Sequence, residues 1–344
     1  MPKRKTSRLE EYYSRQIILK ELGPQGQKKL AQAKVAIIGL GGLGTAASLY
    51  LALAGVGYLR LIDQDTVELV NLHRQILYAP EDLRYPKVEV SAKRLKKANP
   101  LVKVEAVPEN VNQSNVERLV SGVDVVVDGL DNIYTRYIIN RSCAKLRIPY
   151  VFGAAIGVEG NLSVFAPPET PCLECVFPNI EDSALLSCDV RGVIGATPGI
   201  IGAMQAMETI KLISGMGSPL KGKLLICDFS DMYFASIDIY KRRDCPVCQN
   251  HTVSPQTREK LVWLCGQNTV NINPEKPPKL SMNEAYEAIK RHFRVRIKSR
   301  LAIIFDYKNF EVSWFPNGRV LIKNVKDEKS ALGVYGKIME KIAE

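Results

Sequence analysis

Histidine is scarce in this chain of 344 residues, with only His73, His251 and His292. That supply provides poorly for histidine-rich metal sites and for Ser-His-Asp triads. The amino-terminus, MPKRKTSRLEEYYSRQ, is basic and then polar with no apolar stretch, so a secretory signal is not expected and a cytoplasmic location is. Val35 to Leu59 is an uncharged run of 25 residues, long enough to cross a bilayer, but its glycine cluster divides it into strand, loop and helix. No membrane span is expected there. Nothing repeats at a fixed period, which excludes a repeat architecture. Without an export signal, the eight cysteines read as metal ligands, nucleophiles or core residues before disulfides.

What is present suits a globular protein. Hydrophobic residues fill 46% of the positions, enough for a substantial core, and the length suggests about two domains. The net charge is +11, and residues 251–344 carry 17 basic against 10 acidic side chains, so most of the excess lies in the tail. Within it Arg294, Arg296, Lys298 and Arg300 alternate and would share one face of a strand. Such a face is either solvated or a docking surface for an acidic protein or RNA phosphates; bulk charge does not separate these.

The order of apolar segments predicts the fold class. Val35–Ile38 is a continuous apolar run, as in a strand covered on both faces, and the glycines after it open a helix. YLRLID is a second strand, PKVEVSAKRLKKAN an amphipathic helix, and VKVEAV and VDVVVDG two further strands. A helix from about Asn132 to Arg147 leads to PYVFGAAI, and NLSVFAP begins an antiparallel part. The expected fold is α/β, a doubly wound, Rossmann-like mixed sheet. Residues 192–215 read as a glycine-rich loop and a buried apolar helix. Beyond the proline-containing segment at 271–280 comes a small basic α+β unit: a helix near 281–292, strands, a turn at Pro316-Asn317-Gly318, and a closing helix begun by Asp327. The expected division is 1–250 and 251–344.

The stretch VAIIGLGGLG carries the first functional signal. Gly39, Gly41, Gly42 and Gly44 permit a tight turn and close approach of a ligand, and the helix they open offers unpaired N–H groups to phosphate. Asp63 follows 19 residues after Gly44, a spacing suited to a carboxylate on a ribose hydroxyl. The pattern says nucleotide without distinguishing NAD from ATP. A second signal is the two CxxC pairs, Cys172 with Cys175 and Cys245 with Cys248. Four thiolates satisfy tetrahedral zinc and leave no position for substrate, so a structural zinc clamp is expected. Cys143, Cys227 and Cys265 read as small apolar residues.

Asp63 to Gln75, DQDTVELVNLHRQ, is followed by Lys87 and by Asp131-Asn132. A nicotinamide enzyme needs few cations here, whereas ATP chemistry needs Arg and Lys against developing phosphate charge and a carboxylate for magnesium. Together with YYSRQ, GLGGLG, SCDVRGVIGATPG and the two CxxC pairs, these residues closely resemble the MoeB/ThiF/HesA family, relatives of ubiquitin-activating enzymes, over roughly residues 8–250. The resemblance implies an adenylyltransferase in which the carboxyl-terminal glycine of a small ubiquitin-like sulfur carrier (MoaD/ThiS-like) attacks the α-phosphate of ATP. It implies that Asp63 binds ribose, Arg74 and Lys87 hold phosphates, Asp131 positions magnesium, and Asn71 lines the same pocket. It also implies a homodimer in which Arg15 reaches the partner subunit's nucleotide.

Cys188 occupies the position where some members bond covalently with the activated carrier or carry sulfur, while others adenylate without a cysteine there. Arg191 favours a thiolate and Asp189 opposes it, so both readings stay open. Two departures stand out. Tyr12-Tyr13 precede Ser14-Arg15-Gln16 where the family commonly has Arg-Tyr, and the tail is too short for a rhodanese domain, so sulfur transfer within the chain is not expected. ATP-dependent tRNA modification is the alternative on the same fold, less favoured because of the CxxC pairs; a carrier-binding protein without activity and a dehydrogenase fit the Arg and Lys set less well.

Overall fold

The computed structural model describes residues 11–182, 191–249, 261–264, 268–274 and 280–343. Its first sheet has eight strands: β1 (Lys34–Ile38), β2 (Tyr58–Ile62), β3 (Lys103–Val107), β4 (Val125–Asp128), β5 (Tyr150–Ile156), β6 (Glu159–Phe165), β7 (Lys223–Asp228) and β8 (Tyr233–Asp238). Their order is β3-β2-β1-β4-β5-β6-β7-β8. The first five are parallel and the last three antiparallel. Helices α1 (Ser14–Ile17), α2 (Gly23–Gln32), α3 (Gly42–Ala54), α4 (Lys87–Ala98), α5 (Val116–Val120), α6 (Ile133–Leu146), α7 (Leu173–Val176) and α8 (Ala196–Ser214) accompany it.

Side-chain alternation explains why β1 is apolar throughout. Val35 and Ile37 point into one core with Leu59, Leu61 and Val127, while Ala36 and Ile38 point into the opposite core with Ile62 and Val126. A charge at any of these four positions would be buried without a partner. α3 ends at Gly55, whose φ of +88° closes the helix in the left-handed region. α6 starts where the Asn132 side chain accepts from the Thr135 amide at 2.9 Å.

The second sheet is antiparallel and holds β9 (Leu261–Leu264), β10 (Thr269–Ile272), β11 (Arg294–Lys298), β12 (Ile303–Tyr307), β13 (Phe310–Trp314) and β14 (Val320–Lys323). Their order is β11-β12-β13-β14-β10-β9. α9 (Met282–His292) and α10 (Glu328–Ala343) enclose a core with it in which Ile289 and Ile338 join Phe305 and Trp314. α9 begins in a capping box of Ser281 and Glu284. On β11, Arg294, Arg296 and Lys298 share the exposed face that their alternation predicts. Polar contacts join the two sheets: Arg84 pairs with Glu311 at 2.7 Å, Lys323 with Glu68 at 2.7 Å, and Asn273 donates to Asn110 at 3.0 Å. Among the described residues no helix is long and apolar enough to cross a membrane.

Candidate active site

Strand order reverses between β1 and β4, and in open α/β sheets such a switch point leaves a crevice at the carboxyl ends of the strands. The glycine loop leaves β1 at that crevice. Its glycines have different reasons to be there. A Cβ on Gly39, whose φ is +87°, would stand 2.5 Å from the Gly129 carbonyl oxygen, and one on Gly44 would stand 1.9 Å from the Gly39 carbonyl oxygen. One on Gly42 would meet Pro198 at 2.8 Å. These three are required by packing of the loop against its neighbours. Gly41 has φ −78°, and a Cβ there would meet nothing nearer than 3.8 Å. A side chain there would meet only ordinary van der Waals contacts, so packing does not demand this glycine at the start of α3, and a cradle for an approaching phosphate would.

Asp63 follows β2 directly, beside this loop. Its Oδ2 accepts from the Leu40 amide at 2.6 Å and its Oδ1 from the Asp65 amide at 2.7 Å. Burial pushes its pKa up to about 6, with the Asp65 charge adding to the rise and the Lys87 ammonium opposing it. Lys87, the first residue of α4, is buried and donates to Asp65 at 2.9 Å. Burial works against its charge, but the Asp65 and Asp63 carboxylates outweigh that and raise its pKa. Tyr78 completes the support by donating to the Leu40 carbonyl at 3.0 Å.

Arg74 and Asn71 approach from the segment after β2. Arg74 donates to Asn71 Oδ1 at 2.7 Å and to the Val70 carbonyl at 3.0 Å, which fixes the guanidinium. The segment lies against the glycine loop: a Cβ on Gly42 would stand 3.3 Å from the Arg74 carbonyl oxygen. Gly195, just before α8, closes on it too, since a Cβ there would be 2.5 Å from the His73 carbonyl oxygen. Asp131 is exposed three residues beyond the end of β4, in the turn that packs on Gly39.

Seven buried side-chain polar atoms among the described residues have no hydrogen-bond partner, and four belong to Gln64, Asp65, Thr66 and Gln75. Buried polar atoms ordinarily have partners, so their concentration on the segments lining the crevice marks room for a polar ligand.

One expected residue stands apart, and one is not described. Arg15 is exposed on α1, whose Gln16 donates to the Ala54 carbonyl at 3.2 Å. Ala54 ends α3 and Gly42 begins it, so α1 sits about 18 Å along the helix axis from the glycine cradle. Cys188 lies outside the described residues. The four CxxC cysteines do come together, with all four Sγ atoms within 4.8 Å of one another. Three of the separations are 3.5, 3.6 and 3.9 Å, far beyond a disulfide bond of about 2.0 Å. They match the edge of about 3.8 Å in a tetrahedron of sulfurs around zinc. The cluster is anchored on α6, where Asn140 accepts from the Leu173 amide at 2.9 Å and Arg141 pairs with Glu174 at 2.9 Å. Cys143 and Cys227 are buried, as expected of small apolar residues.

A buried network under the site was not read from the sequence. Asp128, the last residue of β4, takes the Arg136 guanidinium at 2.9 Å and the Tyr150 hydroxyl at 2.6 Å. Arg136 also donates to the carbonyls of Leu130 at 2.7 Å and Gly153 at 2.8 Å, which shapes the turn carrying Asp131. The one sequence signal for it was a carboxylate ending an otherwise apolar strand.

The ThiF family model matches residues 13–247. The sulfur carrier protein adenylyltransferase of Thermus thermophilus is 40% identical over 262 residues, covering 74% of this chain and 96% of that protein. The SAMP-activating enzyme E1 of Haloferax volcanii is 43% identical over 237 residues, covering 69% of this chain and 87% of that protein. The structure is similar to that of E. coli MccB crystallised with ATP, with a TM-score of 0.57 and 26% identity over 65% of this chain and 69% of that one. The glycine cradle, the carboxylates and cations around it, and these relatives agree: the chain belongs to the ThiF family.

Proposed function

We propose that this protein is an adenylyltransferase that uses ATP to activate the carboxyl-terminal glycine of a ubiquitin-like sulfur carrier. The bare Gly41 backbone at the switch point, with Asp63, Lys87, Arg74 and Asp131 arranged around it, carries the reading. Two relatives named for sulfur carrier adenylation and SAMP activation support the choice of a carrier. The carrier carboxylate attacks the α-phosphorus, the bond to the bridging oxygen breaks, and pyrophosphate leaves. Asp63 accepts from a ribose hydroxyl. Arg74, oriented by Asn71, and Lys87 offset the charge that accumulates on the phosphates. Asp131 holds magnesium, which supplies further neutralisation of the leaving pyrophosphate.

The working unit in this reading is a homodimer. Arg15, remote from the cradle of its own chain, reaches the nucleotide of the partner. Tyr50 and Leu53 on α3, and Ile200 and Met207 on α8, are exposed apolar side chains on two helices that pack together, a surface suited to a second copy. The edge strand β8 exposes Tyr233 and Ile237 on one face, apolar side chains suited to the carrier. Cys172, Cys175, Cys245 and Cys248 hold a structural zinc ion, and the Cys188 thiolate attacks the carrier's acyl-adenylate, forming a thioester as AMP leaves. Residues 1–250 form the adenylation unit and residues 251–344 a basic unit beside it, and the protein works in the cytoplasm.

Pyrophosphate exchange into ATP tests the reading. It should require a carrier with an intact terminal glycine, and Arg74→Ala should lower it by about 100- to 1,000-fold, the cost of one donor to a developing oxyanion. Exchange unaffected by Arg74→Ala would contradict the assignment. Cys188→Ala should keep exchange and lose the covalent carrier adduct.

A further inference from the structure

The tail sheet places one fully buried cation against the nucleotide loop. Arg319 follows the turn between β13 and β14. Its guanidinium lies 3.6 Å from the centroid of the Phe315 ring. Nη1 donates to Asn271 Oδ1 at 2.8 Å, and Nη2 donates to the backbone carbonyl of Gln64 at 2.8 Å. Gln64 is the residue between Asp63 and Asp65. One neighbour holds the glycine loop through the Leu40 amide, and the other holds Lys87. The tail also meets this segment where Lys323 pairs with Glu68 at 2.7 Å, and Glu89 on α4 accepts from the amides of Arg300 and Leu301, each at 3.2 Å.

Stability is a poor reason to keep a guanidinium there. A buried charge carries a large desolvation cost, and well-packed apolar residues often serve as well or better. Burial lowers the Arg319 pKa to about 10, while Asp65, Asp63 and Glu109 pull it back up. Those carboxylates make no direct ion pair with Arg319. Its hydrogen bond goes instead to the peptide that joins two of them, and a planar fork held by Asn271 on one side and the Phe315 face on the other has little freedom to move.

We propose that Arg319 is a positioning residue for the nucleotide site: by clamping the Gln64 carbonyl from the tail sheet it fixes the backbone that aims Asp63 at ribose and Asp65 at Lys87. The tail is thereby part of the adenylating machinery. The inference rests on the assignment of Asp63 to the nucleotide. With Arg319 in place, Lys87 holds the Asp65 carboxylate while Arg319 holds the Gln64 carbonyl beside it, and ATP meets a preset loop.

The test uses the full-length chain and compares Arg319→Met, Arg319→Lys and Asp63→Ala for pyrophosphate exchange, ATP affinity and thermal unfolding without ligand. Arg319→Met should raise the KM for ATP at least tenfold while leaving the KM for carrier within twofold. Arg319→Lys keeps a donor for the Gln64 carbonyl and should recover part of the ATP KM. If Arg319→Met does not fold, Asn271→Ala, which frees one side of the fork, should raise the ATP KM in the same direction by a smaller factor. A lower unfolding temperature with an unchanged ATP KM in the folded variants would overturn the proposal and leave Arg319 as packing alone. Asp63→Ala separates the two claims. Loss of ATP binding there alongside wild-type ATP KM in Arg319→Met overturns only the positioning role; wild-type ATP binding in Asp63→Ala overturns the nucleotide assignment and this inference with it.

Discussion

Substituting alanine at two glycines three residues apart, Gly41 and Gly44, should produce opposite failures. A Cβ on Gly44 would sit 1.9 Å from the Gly39 carbonyl oxygen, a backbone atom that cannot step aside without moving the β1–α3 turn. Gly44→Ala should therefore cost stability at the upper end for overpacking, about 3 kcal/mol or more. Gly41→Ala adds its methyl where the nearest atom is 3.8 Å away, at φ −78° and ψ −152°, on the edge of the extended region open to alanine. Its stability should stay within about 1 kcal/mol of wild type, since reduced freedom of the unfolded chain favours alanine by about 0.4–1 kcal/mol. The methyl occupies the space left for phosphate. Losing one hydrogen bond to a charged group, about 1.5–3 kcal/mol, corresponds to roughly 10- to 150-fold in ATP affinity. Calorimetric ATP titration with thermal unfolding of the same preparations reads both effects. A Gly41→Ala protein that is stable and binds ATP as wild type would refute the idea that this bare backbone is the phosphate cradle.

Zinc should be present at one ion per chain, and its removal by chelator, or Cys245→Ser, should lower the unfolding midpoint on the order of 10 °C, a few kcal/mol at about 2–4 °C each. Elemental analysis finding none in protein purified without chelator would exclude the clamp. Asp63, raised from 3.8 to about 6 in the folded chain, binds its proton more tightly folded than unfolded. Its contribution to stability is therefore fully present below about pH 4 and lost as pH rises through about 6. ATP binding should run the other way, because a ribose hydroxyl donates to the ionised carboxylate: affinity should fall as pH drops below about 6, and Asp63→Asn should abolish that step in calorimetric titrations. Arg15→Ala and Arg74→Ala homodimers should each be inactive, while mixed dimers recover exchange at the site that keeps both arginines. Confirmed heterodimers without activity would place Arg15 in its own chain's site or in none.

The parallel half of the fold was legible because its central strands β1 and β4 are buried on both faces and α6 carries its own start signal. Val35–Ile38, the VDVVVDG run and Asn132 ahead of α6 are such cases. β7 and β8 were not read as strands, and β8 explains why: five of its six residues are exposed, so no apolar alternation marks it. The site was legible as a set of residue types, but their couplings were not. Nothing local in the sequence says that Lys87 spends a hydrogen bond on Asp65, or that Arg319, 255 residues from Gln64, reaches its carbonyl. The four cysteines were the exception, because two CxxC pairs already state how many sulfurs meet. Local pattern also failed to separate Gly41 from its neighbours, since packing glycines and a ligand glycine look alike until a Cβ is placed on each.

Transfer of AMP to a carrier is the central claim, and the intact mass of that carrier tests it most directly. A ubiquitin-like protein ending in glycine that copurifies with this chain should, after incubation with ATP and magnesium, gain the mass of adenylate on its terminal glycine and release one pyrophosphate per carrier modified. The same carrier lacking that glycine should gain nothing. ATP consumed only when tRNA is present, with no adenylate on any glycine-ended carrier, would contradict the account and return the protein to nucleic-acid modification.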